Sequence, residues 1–286
     1  MRASFRYVSF VGVIVCAVAL AASAGAAARS SSRTFTTGPT RPLRTALVDT
    51  SLLDRSNAAA FALTRAAGAE YVLLAAHRSS IAPSDPAADF DPSDPASPGY
   101  SWSALDTAVE TAEDAGLTPI VDIISTPAWA YAMPPASVNA GTPKVDALGQ
   151  FARAIATHYD GADGGPVVHI YEVWNEPNLS LELGPANASA YRAMVNAVAS
   201  SVHAVDSNNL VVAGGLDPFE HRKNSLHGWN SVAPLVFMRS LLCLSKGPHP
   251  HATCHDPVHF DVWSHHPYTF GGPFGKSKNP GDVELG

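Results

Sequence analysis

Six short runs rich in Val, Ile and Leu, at 45–49, 70–75, 118–124, 168–174, 210–214 and 260–264, recur about every 40 residues and constrain this chain most. Apolar residues stand next to one another in them rather than alternating. That pattern suits strands buried on both faces, as in a parallel sheet with crossover helices. Helical periodicity lies between the runs. Leu148, Phe151 and Ile155 share one helical face, and Tyr191, Met194, Val195, Val198 and Val202 share another, so these segments can cover a sheet. Asp54 can cap the first of five helices and Gly68 end it. Ser103 and Asp106 read as the capping box of a second, which stops at Gly116.

The spacing is that of an α/β chain of the (β/α)8 TIM-barrel type. A full barrel needs two further units, roughly 80 residues, beyond the strand near 264. The expected domain is therefore 44–286, holding about six of the eight units and C-terminally incomplete, with pairing edges open at its first and last strands. A long loop at 83–100 follows the second strand and carries Asp89, Asp91 and Asp94 among prolines. Those acids read as a solvated loop rather than a calcium site, because no glycine turn accompanies them.

Arg2 and Arg6, an apolar run at 8–20 and the small residues of 21–28 form the layout of a secretory signal peptide over 1–28. The competing reading is an uncleaved anchor, since 10–28 is about long enough to span a bilayer. Residues 29–43 read as a flexible lead-in. Cleavage would give a secreted, extracellular protein with no stable membrane contact. Cys16 would leave with the signal, and Cys243 and Cys254 would then close a short loop as a disulfide. A formal net charge of -7 without a Lys/Arg-rich run argues against nucleic acid or anionic membrane as partner.

Chemistry concentrates in Tyr171-Glu172-Val173-Trp174-Asn175-Glu176-Pro177-Asn178, which closes the fourth strand. In a parallel barrel, catalytic groups project from the carboxyl ends of the strands. Glycosidic cleavage needs a carboxylic acid near the bridging oxygen, and Glu176 is placed to be one. The Asn175 amide can hydrogen-bond a sugar hydroxyl. Strict alternation would send these neighbours to opposite faces, so the strand end must bulge or turn, and Pro177 fits such a departure. Glu172 is expected to point into the barrel as a hydrogen-bonded structural acid. Asn178-Leu179-Ser180 and Asn187-Ala188-Ser189 match glycosylation sequons.

On these residues the chain resembles the retaining (β/α)8 glycoside hydrolases of clan A, especially the cellulase family 5 and family 39-like enzymes, from about residue 44 onward. Tyr100-Ser101-Trp102 with Leu105-Asp106 resembles the start of their second helix. Thr126-Pro127-Ala128-Trp129-Ala130 resembles the loop after their third strand, and His265-His266-Pro267-Tyr268 their His-x-Tyr element. The resemblance implies a glycosidase acting on O-glycosidic bonds of a β-linked oligo- or polysaccharide by a retaining two-carboxylate mechanism, with no cofactor. It makes Glu176 the general acid/base and Asn175 the ligand of a sugar hydroxyl, with Trp129, His266 and Tyr268 lining the cleft. Trp129 has a packing role as its alternative. Two departures stand out. No seventh strand ending in the family's nucleophilic Glu is visible, and Glu284 lies in a loop-like stretch, so that nucleophile is not expected in this chain. Leu73 occupies the place of a cleft-facing Arg on strand 2, with His77 and Arg78 further on.

Two other readings compete. A carbohydrate-binding barrel without catalysis would keep the cleft and lack the second carboxylate. A metal-dependent hydrolase could draw on His249, His251, His255, His259, His265, His266 and Cys254, but their spacing matches no closed zinc pattern, so no metal is assigned. The oligomeric state is not legible.

Overall fold

The computed structural model describes residues 44–49, 57–136, 139–221, 228–268 and 282. The chain divides between Pro42 and Leu43; the expected signal peptide and lead-in lie outside the described residues. Among the described residues no helix is long and apolar enough to cross a membrane.

All six apolar runs are strands: β1 (Ala46–Val48), β2 (Tyr71–His77), β3 (Thr118–Ile124), β4 (Ile170–Val173), β5 (Leu210–Leu216) and β6 (Val262–His265). They pair in chain order, every neighbour parallel. Chain order with parallel pairing is what successive β-helix-β crossovers produce, and it curves the sheet into a half-barrel of the (β/α)8 type. Among the described residues β1 pairs only with β2, and β6 only with β5.

Five helices cover the convex face: α1 (Ala58–Ala66), α2 (Ser103–Asp114), α3 (Val145–His158), α4 (Ala188–Val205) and α5 (Pro234–Leu241). The stripes expected on α3 and α4 are buried, including Leu148, Phe151, Ile155, Tyr191, Met194 and Val198. Opposite them lie Val72, Leu74, Val121, Ile123, Tyr171, Val173 and Val211, all fully buried. Each fully buried Val or Leu side chain stabilises by about 1.5–3 kcal/mol, which is why this face anchors the sheet. The concave face, where Leu73, Ile120, Ile170, Leu210, Val212 and Val262 point, lines an open hollow.

The helix starts differ from expectation. Asn57 caps α1, its Oδ1 accepting from Ala59 N at 3.1 Å; Asp54 lies outside the described residues. The Ser103/Asp106 capping box does not form, since Ser103 is the first helical residue and Trp102 stands at the cap without a side-chain bond. Asp106 is drawn across to α3, where His158 Nε2 and Tyr159 Oη approach its Oδ1 at 2.7 and 2.9 Å. These long-range partners outcompete a local backbone N–H. The second sequon anchors α4 instead, Asn187 Oδ1 accepting from Ser189 N and Ala190 N.

The 83–100 loop is pinned rather than loose. Phe90 packs against the rings of Tyr100 and Trp129, and the Trp102 indole donates to Pro95 O at 2.9 Å. Asp91 and Asp94 each accept from a backbone N–H two residues on, as Asx turns do. After α5, a disulfide joins Cys243 and Cys254, with Cα atoms 5.6 Å apart.

Candidate active site

The backbone leaves β4 through two left-handed residues, Trp174 at φ 68° and Glu176 at φ 42°. This turn resolves the alternation problem posed by adjacent Asn175 and Glu176. Left-handed conformations are uncommon for such side chains and persist when the surroundings over-determine them. Here the restraints are explicit. The Trp174 indole N–H donates to Glu182 O at 2.9 Å, and Glu176 N–H donates to Gly215 O on β5 at 3.1 Å. Asn178, fully buried, donates from Nδ2 to Asp217 O at 2.9 Å and Val232 O at 3.0 Å, and accepts at Oδ1 from Asp217 N at 2.9 Å. An amide so enclosed is a structural clamp, which removes it as a glycosylation acceptor.

Two glycines let the next strands close on Glu176. A Cβ on Gly214 (φ +115°) would overlap the Ser264 backbone of β6. One on Gly215 (φ +53°) would meet Glu172 Oε1 at 3.2 Å and His266 Nε2 at 3.5 Å. With neither present, His266 reaches Glu176, its Nδ1 3.0 Å from Oε1. When the carboxyl is ionised, Nδ1–H is the donor. The pair is largely enclosed, with 24% and 17% of the two side chains exposed. Tyr268 follows at the rim, its ring 5.7 Å from that of His266.

Four further carboxyls surround this pair. Asp122 and Glu172 are register partners on β3 and β4. Burial pushes both above the ordinary carboxylate range; the charge of Glu172 adds to the effect on Asp122, while Ser264 and His266 draw Glu172 back. Burial raises Glu182, the charge of Glu176 adds to it, and the Asn175 amide opposes. Asp217 at the end of β5 is raised by burial against the pull of His221, whose Nε2 lies 3.6 Å from Oδ2. The Tyr268 phenol is raised by partial burial and then by Glu176 and Asp217. Such a ring of carboxyls with two imidazoles can hold protons and bind hydroxyl groups, and it repels anions.

Of the residues singled out from sequence, Glu176, His266 and Tyr268 converge, and Asn175 turns its amide toward Glu182. Glu172 faces the concave side, as expected. Trp129 is engaged elsewhere: its indole donates to Pro83 O at 2.7 Å, and the Arg78 guanidinium lies 5.3 Å from its ring. Those contacts favour its packing role. Arg78 itself is fully buried against Trp129 and Phe151, and its nitrogens have no hydrogen-bond partner among the described residues. Burial lowers its pKa to about 10. Asp122, Glu182, Asp217 and His221 escaped the sequence reading. Only Asp122 left a trace there, as one acid inside an apolar strand.

A parallel half-barrel with a carboxyl at the end of its fourth strand, clasped by an imidazole from its sixth, defines a (β/α)-barrel protein with its polar centre at the carboxyl ends of the strands. Residues 40–282 match the cellulase (glycosyl hydrolase family 5) family, and the chain belongs to that family. Similar solved structures include a monomeric β-xylosidase from Caulobacter crescentus, 19% identical with a TM-score of 0.49, covering 61% of this chain and 36% of that one. A GH39 enzyme from Xanthomonas axonopodis pv. citri is 17% identical at TM-score 0.45, over 77% of this chain and 50% of that one. An endo-1,4-β-mannanase from Rhizomucor miehei is 13% identical at TM-score 0.41, over 66% and 60% respectively. The aligned region thus spans less than two thirds of each of these proteins. No curated protein matches the chain.

Proposed function

We propose that the chain is an exported glycosidase acting on a β-linked oligo- or polysaccharide, with Glu176 as the group that protonates the departing glycosidic oxygen. The observation that carries this reading is the 3.0 Å bond between Glu176 Oε1 and His266 Nδ1 at the end of β4. It holds one carboxyl oxygen and leaves the other for substrate. As the bond to the anomeric carbon breaks, Glu176 gives its proton to the bridging oxygen; it then takes one from the water that completes hydrolysis. Asn175 is assigned to a sugar hydroxyl, His266 to orienting Glu176, and Tyr268 to the cleft wall. A retaining mechanism needs a second carboxyl about 5–5.5 Å from the first, and no described residue is given that role. No cofactor is required for these steps. Export is supported by the Cys243–Cys254 disulfide, a bond typical of oxidising compartments.

The test compares the parent chain with Glu176→Gln on aryl β-glycosides of graded leaving-group acidity. Loss of the acid should slow poor leaving groups about 10²–10⁴-fold and spare good ones. Equal turnover of a poor leaving group by both proteins would reject the assignment. Saccharide binding without turnover in the parent would favour a carbohydrate-binding barrel.

A further inference from the structure

We propose that His221, held by the buried Asp217 and flanked by Phe219 and Trp229, forms a sugar subsite beside Glu176. Its ligand is a neutral pyranose unit adjoining the one whose bond Glu176 protonates. The inference rests on the glycosidase reading for the position of that bond, and not for the subsite's own chemistry.

The geometry begins at Asp217, whose residue is only 6% exposed and whose Oδ2 has no hydrogen-bond partner among the described residues. His221 Nε2 lies 3.6 Å from that oxygen, beyond hydrogen-bond range. The Nε2 edge of the imidazole thus faces the carboxylate. The His221 side chain is 31% exposed. Phe219 and Trp229 meet that ring edge-on, with centroids 5.9 and 5.0 Å away. Phe219 is buried behind the imidazole and Trp229 is half-buried beside it; an indole next to a partly exposed imidazole suits a pyranose, which offers an apolar C–H face and hydroxyls around its rim.

The subsite is tied to Glu176 by backbone. Asn178, two residues beyond Glu176, clamps Asp217 through both its N–H and its C=O. Ser231 Oγ accepts from His221 N at 2.7 Å and donates to Phe219 O at 2.8 Å, while Ser231 also bridges to Leu179. Glu176 N–H also donates to Gly215 O, two residues before Asp217, which brings the two strand ends side by side. Asp217 is accordingly a positioning residue, and His221 is the group that meets the sugar.

The experiment uses the full chain carrying Glu176→Gln to stop turnover, and titrates it calorimetrically with β-1,4-linked trisaccharides of glucose, xylose and mannose and with the matching 4-nitrophenyl monosaccharides. At least one trisaccharide should bind. Adding His221→Ala should weaken that binding about tenfold, the scale of one hydrogen bond plus ring contact, and leave the monosaccharide within about twofold. Asp217→Asn, which keeps the backbone clamp, should weaken the trisaccharide in the same direction without lowering Tm. The subsite is overturned if no trisaccharide binds, if its affinity is unchanged in both variants, or if both ligand lengths weaken together. His221-dependent trisaccharide binding in a parent chain that hydrolyses nothing would uphold the subsite and remove the glycosidase reading.

Discussion

Asp122 lies fully buried in β3 beside Glu172, and its Oδ1 has no hydrogen-bond partner among the described residues. Because its folded pKa is raised above the ordinary 3.8, the folded chain holds a proton that the unfolded chain releases. Its contribution is therefore fully favourable below that value and is lost as pH rises through the folded pKa. Glu172, Glu182 and Asp217 act in the same sense. Melting the parent and Asp122→Asn between pH 4 and 8 should show Tm falling with pH less steeply in the variant; equal slopes would contradict the assignment. At this scale Glu176 was legible, since the residues around it form a contiguous motif. Asn178 was not. Its three-residue context spelled a sequon, whereas its partners Asp217 and Val232 lie 39 and 54 positions away.

The strand over 118–124 occurs where the apolar run predicts it, and the other strands lie within a residue or two of their runs. Buried parallel strands announce themselves locally, because both faces demand apolar residues. Helix starts were less legible, as the Asp106 carboxylate shows by taking partners on another helix. The junction of α4 with the sheet carries a prediction of its own. Tyr191 Oη donates to Val173 O at 2.7 Å and accepts from Gly214 N at 3.0 Å, joining the ends of β4 and β5 inside the core. Tyr191→Phe would leave that carbonyl and N–H buried and unpaired, destabilising the chain by about 1–3 kcal/mol. Urea denaturation with an unchanged m-value checks this. A loss too small to measure would mean that water or a neighbour takes over both bonds.

For the whole molecule, the concave face is the dominant physical fact. Val48, Leu210 and Val262 on it are 39–59% exposed, and β1 and β6 each have one unpaired edge among the described residues. Apolar surface beside open strand edges promotes association. The full chain is expected to bind a hydrophobic dye and to sediment as species larger than a monomer at micromolar concentration. A dye-silent monomer with a sharp, reversible two-state melt would show that the face is covered. The sequence alone determined the parallel class, the order of strands and helices, and the place of Glu176 at the end of β4, because each depends on residues near one another in the chain. Tertiary structure decided which groups meet Glu176. His266 arrives from 90 positions away through the space left by Gly214 and Gly215, Asp217 is held by Asn178, and Trp129 is taken up by Arg78. Hydrophobic periodicity says which face of an element is buried; it does not say which distant side chain lies across from it.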